Sequence, residues 1–92
     1  MPKDLGIRFV DPADVRVFNI DWTLWLNKLS ATIANSTWNV PTGLTDLNES
    51  NTALITSIKL SGWSLGNSYT LSNTVVTNNG QTRRVEFVVE CR

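Results

Sequence analysis

Apolar and polar residues alternate most regularly over residues 68–91, the last quarter of the chain. The apolar positions of the two arms are Tyr69, Leu71 and Val75, then Val85, Phe87 and Val89. This period of two predicts two β-strands joined by a tight turn. A two-residue loop would set Phe87 opposite Ser72 on the polar face, whereas a three-residue loop at 78–80 puts both apolar stripes on one side. The sequence therefore predicts a β-hairpin in which Gly80 takes the left-handed conformation of a G1 bulge.

Shorter alternating segments precede the hairpin. Residues 52–60 place Ile58 and Leu60 on one face and Lys59 on the other, which predicts a strand. Residues 33–40 place Trp38 on an apolar face before a proline turn at 41–43. Residues 44–48 are compatible with either an edge strand or a loop.

The segment from residue 15 to residue 33 allows two interpretations. Residues 15–25 predict a strand, with a bulge or bend near Val17 where the apolar phase slips. A helix within residues 22–33 competes, because large apolar side chains recur there at i, i+3, i+4 and i+7. These are Trp22, Trp25, Leu26 and Leu29.

The whole pattern predicts an all-β protein with six or seven short strands about 8 to 12 residues apart and no βαβ rhythm. A second sheet is needed to bury the apolar faces, so we expect a Greek-key β-sandwich, with a small OB-like barrel as the alternative. Tyr69 lies where a tyrosine corner would begin the penultimate strand. We expect residues 15–92 to form a single domain and residues 1–14 to form an N-terminal arm that can pair with a sheet edge or with a partner.

Composition removes several classes of function. The 92 residues carry eight basic and eight acidic side chains, so a zero net charge argues against a nucleic-acid-binding protein. Cys91 is the single cysteine, which excludes an internal disulfide and a thiolate zinc site. Neither a signal peptide nor a membrane-spanning apolar stretch is present, and we expect synthesis in a cytoplasm as a soluble protein.

The residues of catalysis are also missing. The chain has no histidine and no glycine-rich phosphate loop, and its acids fall in turns or on wet strand faces. We therefore expect no enzyme activity, no catalytic residue, no cofactor and no metal site. Calcium ligation by Asp11, Asp14 or Asp21 is a weaker alternative without an EF-hand pattern. Asp21, within an apolar run, must point outward or find an ionic partner.

Aromatic and basic residues supply the candidates for partner binding. Trp22 and Trp38 fall on apolar strand phases and are predicted to be core residues. Trp63 lies in a connection bounded by glycines, so it is either a plug over one end of the sandwich or an exposed anchor. The candidate partner-binding residues are Ile7, Phe9 and Val10 in the arm, Trp63, and Arg83 and Arg84 on the hairpin.

One ordered set of short motifs resembles a known group of proteins. The set is Asp11-Pro12, Phe18 to Trp22 with Leu26, Thr32 to Trp38, Leu60-Ser61-Gly62, Tyr69 to Asn73, and a turn glycine before the last strand. It resembles small immunoglobulin-like structural proteins of tailed-bacteriophage virions, some of which join fibres to the tail. The resemblance spans residues 11–89 and implies an immunoglobulin-like sandwich with no catalytic residues.

The function that the resemblance implies is a fibre-tail adaptor or assembly module located in the virion. It would bind other virion proteins and associate with further copies of itself in a symmetric array. Two other functions stay open from the sequence: a capsid decoration protein, and a carbohydrate-binding module that contacts host sugars through Trp63.

Overall fold

Seven strands and one short helix make up the computed structural model, which describes residues 4–92 and the side chains from Ile7 onward. The elements are β1 (Asp4–Val10), β2 (Arg16–Asp21), α1 (Thr23–Leu29), β3 (Ile33–Asn39), β4 (Thr45–Asn51), β5 (Ile55–Ser61), β6 (Ser68–Thr77) and β7 (Thr82–Cys91). They form a four-stranded sheet in the order β1-β7-β6-β3 and a three-stranded sheet in the order β2-β5-β4. The predicted all-β sandwich is confirmed, with two separate sheets instead of a closed barrel.

The C-terminal hairpin has the predicted register. The predicted pairs are all present: Tyr69 with Val89, Leu71 with Phe87, and Asn73 with Val85. The Thr77 N–H donates to the Gln81 carbonyl at 2.8 Å, which closes a three-residue loop at 78–80. Gly80 has φ +86°, the left-handed conformation that the bulge requires. Both arms therefore bury one face and leave the other toward solvent.

The inner faces of both sheets pack into one core. Phe18 on β2 connects the two sheets, because its ring lies 5.3 Å from that of Phe87 on β7. Trp38 packs edge-on against the same Phe87 ring at 6.4 Å. Further core side chains come from every strand pair: Ile20, Ile58, Leu60, Leu71, Val75, Val85 and Val89. The predicted core roles of Trp22 and Trp38 are confirmed, since the two side chains are 0% and 7% exposed.

A chain of buried hydrogen bonds crosses this core. The Trp22 indole N–H donates to the Thr56 hydroxyl at 3.0 Å, and that hydroxyl donates to Asn73 Oδ1 at 2.7 Å. The Asn73 amide then donates to Ser36 Oγ at 3.0 Å and to the Thr37 carbonyl at 3.1 Å. Thr56 belongs to the three-stranded sheet, whereas Asn73, Ser36 and Thr37 belong to the other. Each side-chain polar atom named in this hydrogen-bond network has a partner, and the bonds tie the two sheets together.

The segment after β2 is helical, so the prediction of one strand over residues 15–25 is wrong at its C-terminal end. β2 stops at Asp21, and Thr23–Leu29 form α1, as the competing interpretation had it. Trp22 and Leu26 are one turn apart and both 0% exposed, so the helical spacing buries both in the core. Ser30, with φ 50°, ends the helix.

The predicted bulge near Val17 is also wrong. β2 pairs with β5 in an unbroken register from Arg16 opposite Leu60 to Asp21 opposite Ile55. Val17 is 53% exposed on the outer face of the sheet. The apparent slip in phase therefore came from an apolar side chain that faces solvent.

The N-terminal segment joins the sheet. β1 pairs in parallel with β7, from Asp4 opposite Glu86 to Val10 opposite Cys91. Of the two possibilities left open by the sequence, pairing with a sheet edge is the one present in this chain. A turn follows in which the Asp14 N–H donates to the Asp11 carbonyl at 2.9 Å.

We predict that Thr56→Val destabilises the protein by about 1 to 3 kcal/mol, because the Trp22 indole N–H and Asn73 Oδ1 both lose their buried partner. Thr70→Val is the matched control, since Thr70 is exposed on β6 and should change stability by less than about 0.5 kcal/mol. Urea unfolding followed by tryptophan fluorescence gives both values. Equal effects of the two substitutions would show that the buried network contributes nothing.

Candidate functional site

The three candidates in the N-terminal segment point in different directions. Ile7 and Phe9 are 51% and 53% exposed, whereas Val10 is 4% exposed and packs into the core. Ile7 lies opposite Val88 on β7, and both occupy the outer face of the four-stranded sheet. We call Ile7, Phe9 and Val88 the β1 patch. Val10 contributes to the fold and does not offer its side chain to a partner.

Charged groups border the β1 patch. The Arg92 guanidinium lies 4.7 Å from the centre of the Phe9 ring, a cation–π distance, and also binds Glu90 at 2.9 Å. On the other side, Arg16 donates to the Phe9 carbonyl at 3.4 Å. The patch is therefore an aromatic and aliphatic surface with a polar rim, held on the part of β1 from Ile7 to Val10 that pairs without interruption with β7.

Trp63 is a plug and not an exposed anchor. Its indole is 4% exposed and packs edge-on against Phe18 at 6.1 Å and against Tyr69 at 5.4 Å. The Tyr69 hydroxyl accepts the Ser64 N–H at 2.9 Å, which is the predicted tyrosine corner. These contacts close one end of the sandwich, and they leave no indole face for a ligand to stack on.

The two arginines of the hairpin have separate surroundings. Arg84 is exposed on the outer face and pairs with Glu86 at 3.0 Å. Arg83 is half-buried and lies over the Trp25 ring at 5.7 Å, on the side of the sheet that α1 covers. Both line an open depression of about 410 Å³ together with Thr82 and Glu86. Of these two arginines, Arg84 is the one that presents its charge to the outer face of the four-stranded sheet.

The tip of the hairpin is bound to the rest of the domain. The Asn78 N–H donates to the Thr32 carbonyl at 3.0 Å, and Asn78 Oδ1 accepts the Thr32 N–H at 3.2 Å. The Asn79 amide donates to the Leu29 carbonyl at 3.3 Å, at the C-terminal end of α1. The asparagines of the loop therefore close the second end of the sandwich.

The side chain of Asp21 points outward into solvent. This is one of the two alternatives that the sequence left open, the other being an ionic partner. Its carboxylate accepts the Thr23 N–H at 2.9 Å and also the Thr23 hydroxyl. These two bonds hold the pKa of the Asp21 carboxyl below its usual value. Asp21 thus helps to start α1, where N–H groups lack helical partners. Within residues 4–92, no group of three or more potential ligands is placed to hold a metal ion.

A pair of acids on β4 was not anticipated from the sequence. The register of β4 on β5 shifts between Asp46 and Asn48, so that Asp46 and Glu49 fall on the same side of the strand. A hydrogen bond with Asp46, together with partial burial and the Asp46 charge, raises the pKa of Glu49 to about 7. Residues three apart on a regular strand face opposite sides, so only the bulge brings these carboxyls together.

The described part of the chain has no helix long and apolar enough to cross a membrane. Its exposed features include four sheet edges, the β1 patch and the acid pair on β4. A family model described as Podophage GP4 fiber-tail adaptor protein gp77 matches residues 11–90. The chain therefore belongs to this family of phage fibre-tail adaptor proteins, whose role is structural.

Two further comparisons concern curated proteins and solved structures. No curated protein matches the chain. The 2,6-sialyltransferase of Vibrionaceae Photobacterium sp. JT-ISH-224, solved in a ternary complex with CMP and lactose, aligns over 96% of this chain with a TM-score of 0.61. The identity is 13%, and the match spans 17% of the length of that enzyme, so the likeness concerns the fold alone.

We predict that Glu49 makes stability fall as the pH rises. Because its pKa is raised from 4.5 to about 7, the folded state holds the proton more tightly than the unfolded state. This stabilisation is complete below about pH 4.5 and is lost as the pH rises through about 7. The pair is exposed, so the effect should be about 1 kcal/mol or less.

Melting temperatures measured between pH 4 and pH 8 test this prediction. Glu49→Gln should flatten the fall seen in the wild type, and Asp46→Asn should do the same because it removes the partner carboxyl. If both variants lose melting temperature with rising pH as the wild type does, the raised pKa of Glu49 beside Asp46 does not cause that loss.

Proposed function

We propose that this protein is a non-enzymatic adaptor of the phage virion, which holds tail and fibre components together by binding other virion proteins. Membership of the fibre-tail adaptor family supports a structural role. The observation that carries the binding proposal is the β1 patch, where Ile7 and Phe9 stay half exposed on a strand fixed to β7. Binding by surface burial, without chemistry, fits a chain that has no histidine.

Three properties make the β1 patch suited to a protein partner. Aromatic and arginine side chains are enriched at binding hot spots, and here Arg92 lies against the ring of Phe9. The pairing of β1 with β7 reduces the ordering entropy that binding would otherwise cost. The ionic contacts of Arg92 and Arg16 provide a polar rim.

We further propose that residues 1–14 act as the contact arm of a single domain formed by residues 15–92, and that the domain is immunoglobulin-like. The strand orders β2-β5-β4 and β7-β6-β3 correspond to strands B-E-D and G-F-C of that fold. The Tyr69 corner at the start of β6 supports the same assignment.

The proposed surroundings are those of a virion after synthesis in the host cytoplasm. We propose several copies in a symmetric arrangement, with no nucleic-acid or membrane partner. Three of the arginines are paired with carboxylates, Arg16 with Asp14 among them, which leaves little concentrated positive charge for phosphates.

The two alternatives have less support. A carbohydrate-binding module would need an exposed Trp63, but the indole of Trp63 is buried in the core. A capsid decoration protein would share the fold and the absence of catalysis, but the family description names fibre and tail.

We predict that Ile7→Thr/Phe9→Thr weakens attachment to particles that lack this protein by about tenfold or more, since hot-spot residues contribute about 2 kcal/mol each. Threonine preserves strand propensity while removing the apolar contact. The purified variant is mixed with the deficient particles, which are then sedimented, and bound protein is quantified by immunoblot.

The matched control is Val15→Thr/Val17→Thr, because these valines are 55% and 53% exposed at the other sheet. It should attach as well as the wild type. Normal attachment of the β1 variant, or equal loss in the control, would reject the β1 patch as the binding surface.

A further inference from the structure

At Ser36 and Trp38 the backbone hydrogen-bonding groups of β3 lie on the outer edge of the sheet, whereas the N–H of Ile33, at the start of the same edge, donates to the Ala53 carbonyl at 2.9 Å. The backbone N–H of Thr77 on β6 donates to the Gln81 carbonyl, next to β7. Because backbone groups point to alternate sides along a strand, those of the odd-numbered residues of β6 point to β7. Those of the even-numbered residues therefore point to β3. Thr74 pairs with Thr37, and Ser72 pairs with Asn39. Because bonding sides alternate along a strand, the N–H and C=O groups of Ser36 and Trp38 point away from the sheet.

No charge protects this edge. The chain carries no charged residue from Ser30 to Thr45 or from Ser61 to Thr82, so β3 and its neighbour β6 are both uncharged. Their outer faces form a mostly polar surface of Asn35, Thr37, Asn39, Thr70 and Thr74, in which Val76 is the apolar member. Exposed edge strands commonly carry charges, prolines or bulges that block pairing with other chains. β3 has a register shift between Ile33 and Asn35, but its part from Asn35 to Asn39 contains no charge, proline or bulge.

The other edges of the sandwich are blocked. β4 carries a bulge and the acids Asp46 and Glu49, which would repel the same acids of a second copy. At the β2 edge, Arg16 reaches across to the Phe9 carbonyl, and Arg8 lines a small cavity of about 30 Å³ beside Phe18. β1 contains Asp4 and Arg8. Edge protection is therefore selective, and β3 is the exception.

We propose that the β3 edge binds the β3 edge of a second copy of this chain, antiparallel and about a two-fold axis near Ser36. An antiparallel strand pair has this symmetry, so one strand can serve as both partners. With Ser36 on the axis, Asn35 lies opposite Thr37 of the second copy, and an amide faces a hydroxyl on each side. The two four-stranded sheets then become one continuous sheet of eight strands.

A second copy is the occupant that the chemistry favours. Two copies of an uncharged strand can pair without like-charge repulsion. The two-fold axis places the Asn side chain of each copy opposite the Thr side chain of the other, so that an amide can form a hydrogen bond with a hydroxyl. This pairing rests on the proposed function for its use, since an adaptor present in several copies needs contacts between them. The edge buries little area, so the dimer is weak and concentration-dependent.

Sedimentation velocity of the purified chain over a concentration series tests the pairing. The wild type should shift from its monomer mass of 10.3 kDa toward twice that value as concentration rises. Amide hydrogen exchange at Ser36 and Trp38 should slow over the same range, because the pairing covers those N–H groups. A wild type that stays monomeric at every concentration overturns the proposal.

Charge substitutions on the exposed positions 35 and 37 test the register. Asn35→Lys/Thr37→Lys sets lysine opposite lysine twice and should weaken dimerisation by about tenfold or more. Asn35→Asp/Thr37→Lys sets aspartate opposite lysine twice and should restore it. Thermal melts establish that both variants are folded. Failure of the second variant to dimerise overturns the register centred on Ser36.

Asn48→Lys/Ser50→Lys is the matched control, with the same added charge on the outer face of β4, and it should dimerise like the wild type. Loss of the dimer in this control would assign the contact to another edge. The dimerisation measurements use no particles, so they can fail while the β1 patch still mediates attachment. The same β3 variant is also tested in the particle-attachment assay described above. If the isolated chain is monomeric but Asn35→Lys/Thr37→Lys fails to attach, β3 binds a strand of another protein and the proposed second copy is wrong.

Discussion

The buried amide of Asn73 is the interaction on which the arrangement of the two sheets depends. It accepts the hydroxyl proton of Thr56 from the facing sheet and donates to two atoms of β3, and neither Asn73 nor Thr56 has any exposed surface. A shift of β6 by one residue would turn Asn73 outward and leave the indole N–H of Trp22 and the hydroxyl of Thr56 without their partners. Apolar side chains tolerate small displacements, whereas buried polar groups without partners are strongly unfavourable. The network thus favours one alignment of the sheets over its neighbours.

That alignment also determines which surfaces are available for binding. Trp63 and Tyr69 close one end of the sandwich, and α1 with the docked hairpin loop closes the other. Almost all of the large aromatic side chains pack inside the domain, and Phe9 is the one that is mostly exposed. What the scaffold offers to other molecules is therefore its sheet edges and the outer faces beside them, held rigidly by strands that are paired along most of their length.

The sheet edges differ in charge, and the charge of an edge affects whether another strand can pair with it. Acids and a bulge at β4 oppose strand addition, whereas β3 and its neighbour β6 carry no charged residue. The β1 patch, by contrast, is apolar with an ionic rim. If the protein binds different neighbours, as proposed above, separate edges with different chemistry allow one rigid domain to do so without aggregating.

The sequence by itself determined the features that arise from local period and turn chemistry. The hairpin register and the buried phase of Trp38 follow from alternation along a strand, and the position of Gly80 and the tyrosine corner follow from the residues at the turns. Only the tertiary structure decided where β2 gives way to α1, that Trp63 is buried and that Asp46 meets Glu49. Each of these depends on residues far apart in the chain or on a single bulge: Trp63 needs Phe18 and Tyr69, and the acid pair needs the shifted register on β5. Local patterns hold no information about such contacts, because the contacts exist only once the two sheets have closed.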